Sequence, residues 1–273
     1  MPELPEAESI ATALDRALRG CTVTKVEVFS PRLRTPIKPL ETAGLVGLRI
    51  NGVRRRARYA VADLSDGRAL LMHFGMSGVV RVEGPEVPRR KHEHVFLWLS
   101  SGKIFRFEDP RRFGLLEVQP LGEDGWPVSL SGIGVEPLSA AFTAGLLHAA
   151  AARRRGPAKL LIMDNSVVSG IGNIYAAETL FAAGISPLRP ASELTLEECG
   201  AIVKNAKRIL RAAIKMGGTT VSDFLNVDGS EGKFAQKLMV YGKSGQCCPK
   251  CGTVLVNVKL GGRGSVFCPK CQH

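Results

Sequence analysis

The first six residues, Met1-Pro2-Glu3-Leu4-Pro5-Glu6, set a proline behind the starting methionine and two carboxylates within one helical turn of it. The small Pro2 permits removal of Met1, which leaves a chain that begins with a secondary amine. An α-amino group titrates near pH 8, so roughly a tenth or more of it is unprotonated and nucleophilic at neutral pH. Attack by that amine on an aldehyde-like sugar carbon gives an iminium, with Glu3 and Glu6 close enough for proton transfer. The same residues also read as helix-start punctuation, with Pro5 at a first helical position and an acid in the first turn. The six residues alone leave both readings open.

A second chemical signal lies at the other end. Of seven cysteines, Cys21 and Cys199 stand alone and five fall in the last 27 residues. Cys248-x2-Cys251 and Cys268-x2-Cys271, sixteen residues apart, have the spacing of a four-thiolate zinc site. Cys247 is left over. Disulfides are the competing use of such cysteines, and they belong to oxidising compartments. The polar, acidic start does not resemble a basic secretory leader, and no apolar run approaches the ~20 residues of a membrane span. An intracellular chain is expected, and with it zinc.

Composition is that of a globular protein, 45% hydrophobic and 23% charged, in 273 residues that suffice for two domains. Lys and Arg outnumber Asp and Glu by 37 to 25, a net charge of +12. Such an excess favours a polyanionic partner, because neutralising phosphates releases counterions.

Other stretches join positive charge to special backbone. Asp109-Pro110-Arg111-Arg112-Phe113-Gly114 pairs two arginines with an aromatic, which suits phosphate pairing and insertion of a ring between bases. It reads equally as a turn whose Phe113 packs inward. His73-Phe74-Gly75-Met76-Ser77-Gly78 is ambiguous in the same way, since a methionine often fills a core. Gly170-Ile171-Gly172-Asn173-Ile174-Tyr175 opens a helix with small residues, so its N–H groups could take a phosphate; the glycines could instead serve helix packing. Arg153, Arg154, Arg155 and Lys159 form a basic cluster upstream.

The elements that must position these groups follow from periodicity. Ile10, Leu14 and Leu18 recur at helical spacing up to Gly20, so one amphipathic helix carries the N-terminus. Alternating apolar runs at Val23–Val28, Tyr59–Leu64 and Ala69–His73, with turns at Asp66-Gly67 and Ser101-Gly102, predict a β-sandwich or barrel over residues 20–120. Glycines and prolines across 123–138 predict a linker. Helices are predicted over 139–154, 158–163, 172–183 and 196–216, the last opened by Thr195 and Glu198 in capping-box register. Residues 217–240 are Gly-rich without a period, as in a functional loop.

Taken together, PELPE, HFGMSG, KHEHV, DPRRFG, MDNSVVSGIGNIYAAETLF, GGTTVSDF, VYGKSG and the cysteine ribbon closely resemble the bacterial formamidopyrimidine-DNA glycosylases, in that family's order and along the whole chain. The resemblance implies an α+β chain of two domains. An N-terminal catalytic β-sandwich with a long N-terminal helix spans 1–122, and a linker spans 123–138. A helix–two-turn–helix domain spans 139–240, with a lesion-capping loop at 217–234, and a β-hairpin zinc finger spans 241–273. It also implies a bifunctional glycosylase and AP lyase of base excision repair, removing 8-oxoguanine and formamidopyrimidines from duplex DNA. Such a protein would be a cytoplasmic, nucleoid-associated monomer with one structural zinc and no membrane partner.

Residue by residue, the resemblance makes Pro2 the nucleophile, Glu3 its acid/base partner and Glu6 a supporting carboxylate. Met76, Arg111 and Phe113 would fill the gap left by an extruded base, which enzymes of this kind must take out of the stack. Phosphate contacts fall to His92, Arg112, Arg155, Lys159, Asn173, Tyr241 and Arg263. Arg263 also serves the later elimination, and Cys248, Cys251, Cys268 and Cys271 bind zinc. The chain departs from the family at Arg58, where lysine is usual. Arginine keeps the charge for phosphate but hardly gives up a proton, so altered lyase activity is expected there. Two other readings are weighed. An endonuclease VIII-like enzyme for oxidised pyrimidines is disfavoured by Leu4 and the purine-type loop. A non-catalytic reader of damaged DNA is disfavoured by the retained Pro2 and Glu3.

Overall fold

The computed structural model describes residues 2–37, 39, 43–219 and 232–273. Met1, whose removal is expected, and residues 220–231, most of the expected capping loop, lie outside the described residues. The chain forms two compact units, Met1–Ser131 with Gly217–Lys233, and Gly132–Met216 with Phe234–His273. The division falls within the stretch read as a linker, and 217–233 joins the first unit rather than the helical one.

In the first unit, helix α1 (Leu4–Leu18) buries Leu4, Ala7, Ile10, Ala11, Leu14 and Leu18, one face at helical spacing. Gly20, at φ +80°, lets the chain leave the helix. Among the described residues, eight strands follow: β1 (Val23–Val28), β2 (Ile50–Arg56), β3 (Tyr59–Leu64), β4 (Arg68–His73), β5 (Val79–Glu83), β6 (Glu93–Leu99), β7 (Ile104–Glu108) and β8 (Leu115–Pro120). They form two antiparallel sheets ordered β1-β6-β7-β5 and β2-β3-β4-β8. Alternate residues of both, among them Ile50, Ala62, Leu70, Leu97, Phe105 and Leu116, share one core with α1. Burial of a large aliphatic side chain contributes about 1.5–3 kcal/mol, so this shared core fixes where the N-terminus lies.

The second unit holds helices α2 (Ala144–Ala151), α3 (Ala158–Ile162), α4 (Asn173–Ala183) and α5 (Leu196–Lys215). Helix α2 is shorter than its periodicity suggests, because the Thr143 hydroxyl accepts the Leu146 N–H at 3.1 Å and starts the helix there. The capping box of α5 forms as read, with Thr195 and Glu198 bonded in both directions at 2.9 and 3.2 Å. A hairpin of β9 (Val256–Leu260) and β10 (Arg263–Phe267) closes the chain. Its two turn residues, Gly261 and Gly262, both have positive φ, as a tight hairpin turn requires. Among the described residues no helix is long and apolar enough to cross a membrane.

Candidate active site and nucleic-acid surface

Pro2, Glu3 and Glu6 are all buried at the start of α1. Both oxygens of Glu6 are engaged. Oε2 accepts the Glu3 N–H at 2.9 Å, while Oε1 accepts the N–H and the hydroxyl of Thr219 at 2.7 and 2.9 Å. One carboxylate therefore holds the backbone that carries Pro2 and pins residue 219 beside it. Gly218, at φ +82°, favours glycine, and a Cβ there would also come within 2.8 Å of the Glu6 oxygen.

Two loops of the first unit are organised by a second buried acid that sequence reading did not single out. Asp109 is fully buried. Its Oδ1 accepts the Ser77 hydroxyl at 2.6 Å and the Arg111 N–H at 3.3 Å, and its Oδ2 accepts the Gly114 N–H at 2.7 Å. The loop after β4 and the loop before β8 are thereby joined. Gly75 lies so near Phe113 that a Cβ would sit 2.5 Å from its backbone carbon. Beyond this junction Met76, Arg111 and Phe113 stand exposed, with the Arg111 guanidinium 5.1 Å from the centre of the Phe113 ring. Phe113 is 48% exposed, which rules out the reading of an inward-packed turn residue. Arg112 is also exposed, at φ +57°, and His92 is half-buried next to the Asp109 backbone, whose N–H donates to the His92 carbonyl at 3.0 Å.

Arg58 lies in the tight turn between β2 and β3, beside Ala57 at φ +53°. Its charge reaches His73, at the end of β4. Burial, then the Arg58 and Arg34 charges, push the His73 imidazole down to about 4. The ring is thus neutral at working pH. Its Nδ1 accepts the Gly75 N–H at 3.1 Å, and the ring packs against Tyr59.

The second unit gathers its own candidates around the first turn of α4. Asn173 opens that helix with Gly172 as its cap, and Arg155 and Arg263 are exposed. Tyr241 is positioned by Glu178, a buried acid on α4. The Glu178 carboxylate accepts the N–H groups of Met239, Val240 and Tyr241 at 2.8–2.9 Å. An acid inside the apolar run NIYAAETLF was the only sign of it in the sequence.

Lys159 differs from expectation. The sequence groups it with the arginines as a phosphate contact, yet α3 turns it inward beside Ala158, Leu161 and Ile162, and it is 1% exposed. Its ammonium donates to Asn173 Oδ1 at 2.6 Å and to the Ser265 hydroxyl at 2.7 Å.

The four cysteines of the ribbon converge. Their sulfurs all lie within 4.8 Å of one another, with Cys248 and Cys271 at 3.9 Å and Cys251 and Cys268 at 3.5 Å. Four thiolates on one zinc stand about 3.8 Å apart, given Zn–S bonds of about 2.3 Å. A disulfide would need about 2.05 Å, so the set suits a tetrahedral ion. The N–H groups of Lys250 and Cys271 point at the Cys248 and Cys268 sulfurs at 3.4 Å, stabilising thiolate charge. Cys247 is exposed and outside the cluster.

Comparison with known proteins agrees along the whole chain. Residues 1–116 match a model described as the formamidopyrimidine-DNA glycosylase N-terminal domain. Residues 133–225 match its H2TH domain, and 245–273 match a zinc finger found in FPG and IleRS. A formamidopyrimidine-DNA glycosylase of Laribacter hongkongensis is 45% identical over 274 residues, and one of Stenotrophomonas maltophilia is 47% identical over 273, each with full coverage of both chains. Among solved structures, a Lactococcus lactis FPG mutant bound to Fapy-dG DNA is similar at TM-score 0.90 with 30% identity, covering both chains fully. MutM in complex with DNA containing carbocyclic 8-oxo-G is similar at TM-score 0.89 with 31% identity and the same coverage.

Proposed function

This chain belongs to the formamidopyrimidine-DNA glycosylase family, and from that premise we propose which of its residues carry the reaction. It is a zinc-containing DNA glycosylase and AP lyase that acts on oxidised purines in duplex DNA. The Pro2 nitrogen attacks C1′ of the damaged nucleotide, and the glycosidic electron pair leaves with the base. The resulting iminium acidifies the sugar, so loss of protons expels first the 3′ and then the 5′ phosphate. Glu3 exchanges the protons that sugar opening and elimination require. Glu6, with both oxygens engaged, holds the nucleophile rather than trading protons itself.

Met76 and Phe113, with Arg111, enter the duplex as the lesion leaves it, and Arg111 faces the orphaned base. His92, Arg112, Arg155, Asn173, Tyr241 and Arg263 meet phosphates. Arg58 binds phosphate but is a poor proton carrier, so elimination there rests on other groups. The catalytic domain is assigned to 1–122 and the linker to 123–138. The helical domain is assigned to 139–240 and the finger to 241–273. The capping loop at 217–234 works with the first of these through Thr219. A monomer in the cytoplasm, associated with the nucleoid, is the proposed setting.

The observation that carries this reading is the buried Pro2–Glu3–Glu6 start, held by a carboxylate to residue 219. Borohydride reduction during incubation with a duplex carrying 8-oxoguanine opposite cytosine tests it. A covalent protein–DNA adduct at Pro2 is expected, lost when the N-terminus is blocked. Binding without adduct or strand break would make the protein a reader and overturn the catalytic assignment.

A further inference from the structure

We propose that Lys159 is a positioning residue whose buried ammonium sets two DNA-contacting groups at once, the Asn173 amide and the strand that carries Arg263. The inference rests on the reading that Asn173 and Arg263 meet phosphate.

A lysine ammonium has three donors and no acceptor. Here those donors are directed at Asn173 Oδ1 (2.6 Å), the Ser265 hydroxyl (2.7 Å) and, at longer range, the Gly264 carbonyl (3.4 Å). Because lysine can only donate, the Asn173 oxygen must face it and the NH2 group must turn the other way. One N–H of that group donates to the Gly264 carbonyl at 3.1 Å. Among the described residues the other has no protein acceptor, so it is held as a donor at the first turn of α4. An N–H held there, at the positive end of the helix, suits an anion.

The same ammonium reaches the hairpin. Ser265 and Gly264 directly follow Arg263, and the Ser265 N–H is fixed by Asn257 Oδ1 at 2.9 Å across the strand pair. The exposed arginine therefore stands on backbone tied to α3 and α4 through one buried cation. Zinc holds the far end of the hairpin, and Lys159 holds the near end. A phosphate ligand would need an exposed amine; this one is 1% exposed and already saturated with acceptors.

The test is a double-mutant cycle on single-turnover cleavage of a duplex with an abasic site, using Lys159→Met, Asn173→Ala and the pair. Displacing a reacting group by ~1 Å can cost about 100-fold, so K159M is expected to slow cleavage by about 10- to 100-fold while retaining one zinc per chain. The double variant should fall no more than about 2-fold below the slower single variant, since both changes remove one linked unit. Losses that multiply would assign Lys159 a contact of its own and overturn the proposal. Cleavage by K159M at the wild-type rate would overturn it too. Should K159M lose its zinc, Ser265→Ala removes only the hairpin acceptor, and unaltered cleavage by S265A is then the refuting result. A wild-type protein that neither binds nor cuts this duplex refutes the family-based reading instead, so the two failures are distinct.

Discussion

His73 occupies a place where an imidazole cannot keep a second proton. Burial and the charges of Arg58 and Arg34 lower it to about 4, against about 6.5 in an unfolded chain. As pH falls below 6.5 the unfolded chain takes up this proton first, which favours unfolding. The contribution of neutral His73 is therefore complete above about pH 6.5 and is lost between about 6.5 and 4, amounting to about 3 kcal/mol. Denaturant unfolding at pH 7 and pH 4 should show that loss in the wild type and a clearly smaller one in His73→Gln. An equal acid loss in both would show that the imidazole is not the group responsible. At this scale the sequence was legible where chemistry is contiguous, as in Pro2, Glu3 and Glu6 or the paired cysteines. It was not legible for Asp109, Glu178 or Lys159, because a charged residue looks solvated until tertiary structure buries it among its partners.

Between the elements, the junction of the two loops at Gly75 and Asp109 decides whether the three exposed groups act together. Gly75 combines φ +55° with a backbone neighbour at 2.5 Å from any Cβ. Gly75→Ala must therefore strain its own backbone and push the Phe113 loop backbone away, at a cost of about 1–3 kcal/mol. A lower melting temperature is expected, together with about 10-fold or slower excision of 8-oxoguanine, because Met76 and Phe113 no longer hold their spacing. Wild-type excision by G75A would show that the spacing is immaterial. Periodicity located β1, β3, β4 and the helices here but overran the start of α2. Apolar residues such as Phe142 continue the helical pattern before the helix begins, and only the Thr143 cap marks the true start. The link between HFGMSG and DPRRFG was invisible for a different reason, since two turns far apart in sequence carry no common period.

For the molecule as a whole, charge and cysteines announced a zinc-bearing, polyanion-binding protein, while the grouping of 217–233 with the first unit had no local signal at all. The finger shows how little core the ribbon has. Its small cluster joins Cys248, Cys268, Leu255 and Val240 to Ala177 and Phe181 of α4. Removing the metal with a chelator should therefore unfold the hairpin and abolish DNA binding, with the thermal transition of the first unit preserved. A metal-free protein that still binds duplex at full affinity would contradict this. The clasp between Glu6 and Thr219 spans 213 residues. On the ribosome, Glu6 emerges long before its partner, and the first 131 residues can collapse around their own core while that carboxylate still lacks Thr219. Pro2, the proposed nucleophile, thus gains this hold only after most of the polypeptide has been made. Fragments from interrupted translation carry the nucleophile without the clasp.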